Sequence, residues 1–225
     1  MTTRGGQAEG RLVVAWDLPT RLFHWLTVAL VAAAYATWRL NWMDWHALAG
    51  DALLALLLFR VVWGFVGSET ARFVRFVASP RAAAHHLTQL FRREPDEQFG
   101  HNPAGGWMVL LLLSLLLGQT MTGIVVNNDV ADAGPLTEIM PAPIANLVTD
   151  LHAVLWKALL AAVALHVIAI AIYAAAKGHN LLGPLLTGRK FLPGPSTPQH
   201  LASHILALLV LGGCILAATL LATFL

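Results

Sequence analysis

Charged residues and cysteine are both scarce in this chain of 225 residues. Only 12% of the residues are charged, whereas 57% are hydrophobic and the mean hydropathy is +0.67. Soluble globular domains carry roughly 25% charged residues, so this composition excludes an ordinary soluble domain and indicates a membrane protein. The single cysteine, Cys214, excludes a disulfide framework within one chain and is interpreted as a small core residue. The formal net charge of +2 is small, and no nucleic-acid partner is expected.

Long apolar runs dominate what the sequence does contain. Five of them can cross a hydrocarbon core of roughly 30 Å at about 1.5 Å per helical residue. These spans are predicted at about 22–38, 45–66, 106–126, 151–176 and 202–225. The first could instead be a cleaved signal peptide, because Arg21 precedes it and "AYA" follows at 34–36. We expect one all-α integral membrane domain over residues 1–225, in which a four-helix transmembrane bundle is followed by a fifth, C-terminal transmembrane helix.

The basic residues are concentrated on one side of the predicted spans. Alternating connections place eleven of the fourteen on the side of the N-terminus, namely Arg4, Arg11, Arg21, Arg72, Arg75, Arg81, Arg92, Arg93, Lys177, Arg189 and Lys190. The loop at 127–150 on the other side is acidic and has no basic residue. By the positive-inside rule the N-terminus is predicted to be cytoplasmic. The segment at about 69–93 mixes arginines with apolar residues and is predicted to lie along the inner membrane surface as amphipathic helices.

Four histidines lie inside or at the ends of the predicted spans, where an imidazole is costly to bury and usually marks function. His152 and His166 are fourteen residues apart, so they share one helix face about 21 Å apart along the axis. His24 lies at the inner end of the first span, and His46 lies at the outer end of the second. The depths therefore predict two pairs, His24 with His166 and His46 with His152.

Two imidazoles that face each other at each of two depths suit two planar macrocycles, each of which takes one axial nitrogen from either side. A zinc site would need three or four ligands at one depth. A proton relay or transporter would need carboxylates near the membrane midplane, and the span centres contain almost none. The histidines are accordingly predicted to be axial ligands of two haem irons, with structural, hydrogen-bonded histidines as the alternative.

Other polar and small residues are candidates for secondary roles around such haems. Arg60 follows His46 by fourteen residues and could pair with a propionate at the inner depth. Gly50 lies one turn from His46 and could let the ring approach the backbone, although a helix-packing glycine fits equally well. The remaining histidines before the last span are predicted to be surface residues: His85, His86, His101 and His179. A further pair could bind a metal or a quinone headgroup: His200 and His204.

Four segments resemble the bacterial cytochrome b561 family, and in particular its members grouped with the b-type cytochrome subunit of nickel-iron hydrogenases. They are "VVAWDLPTRLFHW" at 13–25, "WHALAGDALLALLLFRVVWGFVG" at 45–67, "GHNPAGGWMVLLLLSLLLGQTMTG" at 100–123 and "LHAVLWKALLAAVALH" at 151–166. Their joint occurrence in this order is more specific than any one of them, and the resemblance covers roughly 12–190. The fifth span is an addition to the simplest pattern of the family.

The resemblance implies a transmembrane electron carrier of the bacterial inner membrane with two b haems. Its ligands fall on the four histidines that the depth argument selects. It implies electron exchange between membrane quinone and a periplasmic redox partner, such as a cytochrome c or a hydrogenase-type subunit. We expect an electron-transfer subunit, which could form a homo-oligomer, rather than a stand-alone catalyst. The alternatives are a quinone-reactive enzyme that turns over alone and a non-redox membrane anchor or small transporter.

Overall fold

The structure is a computed structural model that describes residues 11–89, 100–126, 140–192 and 199–224. Its helices are α1 (Leu18–Arg39), α2 (Met43–Val66), α3 (Phe73–Phe76), α4 (Pro80–Thr88), α5 (Pro103–Gly123), α6 (Ala142–Ile172), α7 (Leu182–Thr187) and α8 (His204–Phe224). A 3-10 turn covers Glu69–Ala71, and a π-helical turn at Tyr173–Lys177 ends α6. Strand β1 (Arg11–Val14) pairs antiparallel with β2 (Arg189–Leu192). Most of the predicted acidic loop lies outside the described residues.

Four of the described helices are long and apolar enough to cross a membrane, which is the pattern of a multi-pass membrane protein. They are α2, α5, α6 with its π-helical end, and α8, which corresponds to the predicted fifth span. Helix α1 has 22 residues, a sufficient length, but its first turns contain Pro19, Arg21 and His24 and it is less apolar than the other four. The interpretation of α1 as a further span therefore stays a prediction.

Helix α6 begins at Ala142, earlier than the start predicted near residue 151. Two prolines, Pro141 and Pro143, lie at this end, where the first-turn amide groups of a helix have no intrahelical partner to lose. The polar residues that follow include Asp150, which lies within the helix and not in a loop. The scattered polar residues before residue 151 predicted a loop, but the end of a helix at the membrane surface can also contain such residues.

Helix α2 is the central element of the bundle. It packs against α1, α5 and α8, while α5 also packs against α6. One buried cluster joins α2 to α5 and α6, and it consists of Leu57, Leu113, Leu116 and Leu159. A second cluster joins α2 to α8 through Phe59, Trp63, Ala207 and Cys214, where the cysteine is a buried core residue as predicted. These contacts make α2 and α5 the fixed frame that holds α1 and α6.

One end of the bundle carries β1 and β2 and is called the strand end; the other carries the α1–α2 turn at Leu40–Trp42 and is called the turn end. At the strand end, the predicted amphipathic segment folds as the 3-10 turn, α3 and α4. The side chain of Arg21 on α1 donates hydrogen bonds to the carbonyl oxygens of Leu185 and Leu186 at the end of α7. The strands and short helices thereby cover the strand end of α1 and α2.

Asp17 fixes the start of α1 to the side of α2. One carboxylate oxygen accepts a hydrogen bond from the Thr20 backbone amide at 2.9 Å and so caps the helix. The other oxygen accepts a hydrogen bond from the indole Nε1 of Trp63 at 3.0 Å, and Trp63 is fully buried. The buried carboxylate of Asp17 thus accepts hydrogen bonds from donors on both α1 and α2.

Substitution Asp17→Ala removes the helix cap and leaves the buried Trp63 indole without its acceptor. We expect a loss of about 2–3 kcal/mol in the free energy of unfolding, measured by denaturant titration in detergent micelles. Ser79→Ala is the matched control, because Ser79 caps α4 through the Ala82 amide in an exposed position. The control is expected to cost about 1 kcal/mol or less. Equal losses in the two variants would contradict the role given to the Trp63 contact.

Candidate functional site

The four span histidines interact electrostatically as two pairs, one toward each end of the bundle. His24 on α1 interacts electrostatically with His166 on α6 at the strand end. His46 on α2 interacts with His152 on α6 at the turn end. Each pair joins two different helices.

One ring nitrogen of His46 makes a hydrogen bond that fixes the tautomer, and the other is available as an acceptor. Its Nδ1 lies 2.8 Å from the backbone carbonyl oxygen of Ala34 on α1. A carbonyl oxygen only accepts, so Nδ1 carries the proton and Nε2 keeps its lone pair. Histidines that bind metals use this pattern, in which a backbone acceptor fixes the tautomer and turns the free nitrogen toward the metal.

His152 is held by two polar side chains of α5. Its Nδ1 lies 2.9 Å from the Thr122 hydroxyl, and its Nε2 lies 2.9 Å from the amide nitrogen of Gln119. Gly123 lets the two helices approach here, since a Cβ atom at Gly123 would lie 3.3 Å from Cε1 of the imidazole. The Gln119 amide thus occupies the His152 Nε2, which an iron would require. This amide would have to turn away before an iron could bind there.

The strand-end pair differs because its polar groups are less satisfied by the described residues. The Nδ1 of His24 is buried and has no hydrogen-bond partner among them. Arg60 is buried, with its guanidinium 4.9 Å from the ring centre of Phe73 and 5.9 Å from that of Phe76. One of its terminal nitrogens also has no partner. A buried guanidinium nitrogen with no acceptor is costly, so this end suits an anionic ligand.

His101 lies in the interior of the strand end, so its prediction as a surface residue is wrong. Its ring lies between the rings of Trp16 and Phe76, with centroid distances of 4.5 Å to each, and its Nδ1 is buried without a partner among the described residues. The signal that could have found it is the adjacent cap. Asn102 accepts a hydrogen bond from the Gly105 amide, and the residue before such a cap commonly packs inward.

His101 also shares the electrostatic environment of the strand-end pair. Burial, followed by the positive charge of Arg60, lowers the pKa of the His101 imidazole to about 3. His166 and His24 contribute in the same direction. The ring is therefore neutral at neutral pH, and Arg60 is the positive charge of this site.

Gly50 borders open space. A Cβ atom built on it would meet no atom of the described residues within 4 Å, whereas one built on Gly106 would lie 2.6 Å from the backbone oxygen of Phe76. Gly106 is thus a packing glycine, and Gly50 is not one among the described residues. Space beside the helix one turn from His46 is compatible with the approach of a planar ring.

The remaining histidines form no metal site among the described residues, where no group of three or more His, Cys, Asp or Glu side chains is arranged around one position. The Nε2 of His86 lies 2.8 Å from the Tyr173 hydroxyl, and the two rings stack. The backbone amide of His200 donates to the Glu69 carboxylate at 3.3 Å, and its carbonyl oxygen accepts from the Glu69 amide at 3.0 Å. The absence of a three-ligand cluster does not affect haem, which needs one imidazole on each face.

Three features of the described residues are compatible with two haems that each have two histidine ligands, and one feature is not. The imidazoles interact in two pairs between helices, the Nε2 of His46 keeps its lone pair, and the buried nitrogens of Arg60 and His101 that lack a partner among the described residues suit haem carboxylates. The contact from Gln119 to His152 is the exception. The Oε1 of Gln119 is buried without a partner among the described residues, so this amide is weakly held and its displacement is inexpensive.

Comparisons with known proteins identify the family of the chain. The family described as prokaryotic cytochrome b561 matches residues 15–188. A curated relative, the probable Ni/Fe-hydrogenase B-type cytochrome subunit of Rhizobium leguminosarum bv. viciae, is 28% identical over 148 residues. That match covers 54% of this chain and 62% of the relative, so the chain spans less than two thirds of the relative's length. No solved structure matches the chain. The family match extends over most of the chain, and the chain therefore belongs to the prokaryotic cytochrome b561 family.

Proposed function

We propose that the protein is a di-haem b-type cytochrome that carries electrons across the bacterial inner membrane. The observation that carries this proposal is the electrostatic interaction of four imidazoles as two pairs, each between two helices. Two b haems held by these pairs would supply one-electron storage at two depths of the bilayer. Membership of the cytochrome b561 family supports the same chemistry.

Two histidine ligands to each haem would leave the iron no free site, so the chain is suited to electron transfer and not to substrate chemistry. The protein's own contribution is orientation and electrostatics. The Ala34 carbonyl fixes the His46 ring, and α5 fixes the His152 ring. All four imidazoles are partly buried among the helices, which reduces the reorganisation that accompanies each change of charge.

Arg60 is proposed to pair with a propionate of the strand-end haem. Its unpaired terminal nitrogen is a ready donor to a carboxylate, and the Nδ1 of His101 is a second neutral donor or acceptor close by. A buried positive charge near an iron favours the reduced state, which carries one positive charge fewer. Gly50 is proposed to provide clearance for the turn-end haem.

The partners are proposed from the relative and the charge pattern. The curated relative is named as a hydrogenase cytochrome subunit, which supports a hydrogenase-type or cytochrome c partner on the periplasmic side and quinone as the membrane partner. Eleven of the fourteen basic residues belong to the side of the N-terminus, which supports a cytoplasmic strand end. The chain is proposed as an electron-transfer subunit, alone or as a homo-oligomer.

Single histidine substitutions test the pairing. His24→Ala and His166→Ala are each expected to remove one and the same haem, whereas His46→Ala and His152→Ala remove the other. The measurement is the haem content per chain, together with the α-band of the reduced spectrum. His85→Ala on exposed α4 is the control and is expected to retain both haems. Depletion of one common haem by His24→Ala and His46→Ala would refute the pairing, and a folded but colourless wild type would favour a membrane anchor or transporter.

Removal of the positive charge tests the role proposed for Arg60 beside the strand-end haem. In Arg60→Gln the strand-end haem is expected to lose about 1 kcal/mol of stabilisation of its reduced state, a fall of roughly 40 mV in a one-electron potential. Arg60→Lys retains the charge and is expected to move the potential less. Potentiometric titration of the two haems measures both effects. A fall of the same size in Arg60→Lys and Arg60→Gln would show that packing on the phenylalanine rings, and not charge, is the cause.

A further inference from the structure

The Thr122 hydroxyl is a fixed acceptor for the His152 imidazole. Its oxygen lies 2.7 Å from the Gly118 carbonyl oxygen and 3.0 Å from that of Gln119, and 2.9 Å from the Nδ1 of His152. The hydroxyl has one proton, and carbonyl oxygens only accept. Because the shortest contact is to a carbonyl, the hydroxyl proton is given to the helix. The imidazole must therefore donate its Nδ1 proton to Thr122.

This direction of donation fixes the tautomer of His152. With the proton on Nδ1, the Nε2 lone pair is an acceptor, which agrees with the Gln119 amide nitrogen at 2.9 Å. His46 has the same tautomer through the Ala34 carbonyl. The two turn-end imidazoles thus each donate from Nδ1 to a fixed oxygen. His24 at the strand end has no such acceptor among the described residues.

We propose that Thr122 is a positioning residue that orients His152 and lowers the redox potential of the turn-end haem, making it the lower-potential haem of the two. The inference rests on the proposed function. A hydrogen bond from Nδ1 to an acceptor makes the imidazole a stronger electron donor, which favours ferric over ferrous iron. The strand end lacks this bond on His24 and carries the buried charge of Arg60, and both features favour the reduced state there. With two such haems bound, this difference would favour electron transfer from the turn end to the strand end.

The local packing explains why this contact is well defined. Thr122 precedes Gly123, which permits the close approach of α5 to the imidazole. The hydroxyl cannot rotate freely, because its own proton is held by the preceding turn of α5. The acceptor is thus oriented before a ligand binds, as second-shell groups of metal sites generally are.

Isosteric substitution isolates the hydroxyl. Thr122→Val keeps the shape and removes the acceptor, whereas Thr122→Ser restores it. Thr120→Val is the matched control on the same helix, because the Thr120 hydroxyl bonds only its own helix, at Leu116 and Leu117, among the described contacts. The measurement is a potentiometric titration of both haems in the intact protein, combined with the low-spin ferric electron paramagnetic resonance spectrum. The turn-end haem is identified as the one that His152→Ala removes.

In Thr122→Val the ratio of reduced to oxidised turn-end haem at a fixed potential is expected to rise about three- to tenfold, roughly 30 to 60 mV for one electron. Thr122→Ser and Thr120→Val should leave it unchanged. If Thr122→Val fails to retain the haem, retention in Thr122→Ser supports the proposal and loss in Thr122→Ser overturns it. Unchanged potentials in Thr122→Val, an equal shift of both haems, or a higher wild-type potential at the turn end also overturn it. A wild type without haem instead refutes the proposed function itself.

Discussion

The cost of placing an imidazole in an apolar bundle constrains the rest of this structure. A neutral imidazole has one donor and one acceptor, and each needs a partner away from water. The protein supplies one partner from its own helices at the turn end, through Ala34 for His46 and Thr122 for His152. The second nitrogen of His46 keeps its lone pair, whereas that of His152 lies 2.9 Å from the Gln119 amide nitrogen. An iron between two such rings would satisfy both of them at once.

The two ends of the bundle meet this constraint differently. The turn end holds its histidines by hydrogen bonds, whereas the strand end surrounds them with a buried guanidinium and a neutral imidazole, those of Arg60 and His101. This difference is carried by the frame of α2 and α5, since Asp17 ties α1 to α2 and glycines bring α5 close to α6. Residues that are far apart in the sequence thereby give the histidines at the two ends of the bundle different environments.

Helical spacing underlies the predicted depths of the four histidines, because a fourteen-residue interval returns to the same face after nearly four turns, and their role as ligands stays a prediction. It did not predict the interior position of His101, since the inward direction depends on how α3 and α5 pack at Phe76. The early start of α6 was missed because propensity is weak evidence at helix ends. The role of Thr122 could not be predicted either, because a hydroxyl in a helix ordinarily bonds only its own turn.

The haem content of the purified wild-type protein tests the central claim most directly. A pyridine haemochrome assay, related to protein mass by amino-acid analysis, counts b haems per chain without reference to any partner or activity. Two haems per chain are predicted, since the bundle has one pair of imidazoles at each end. A value of one would contradict the account of two sites, and a value of zero in a folded protein would contradict the account altogether.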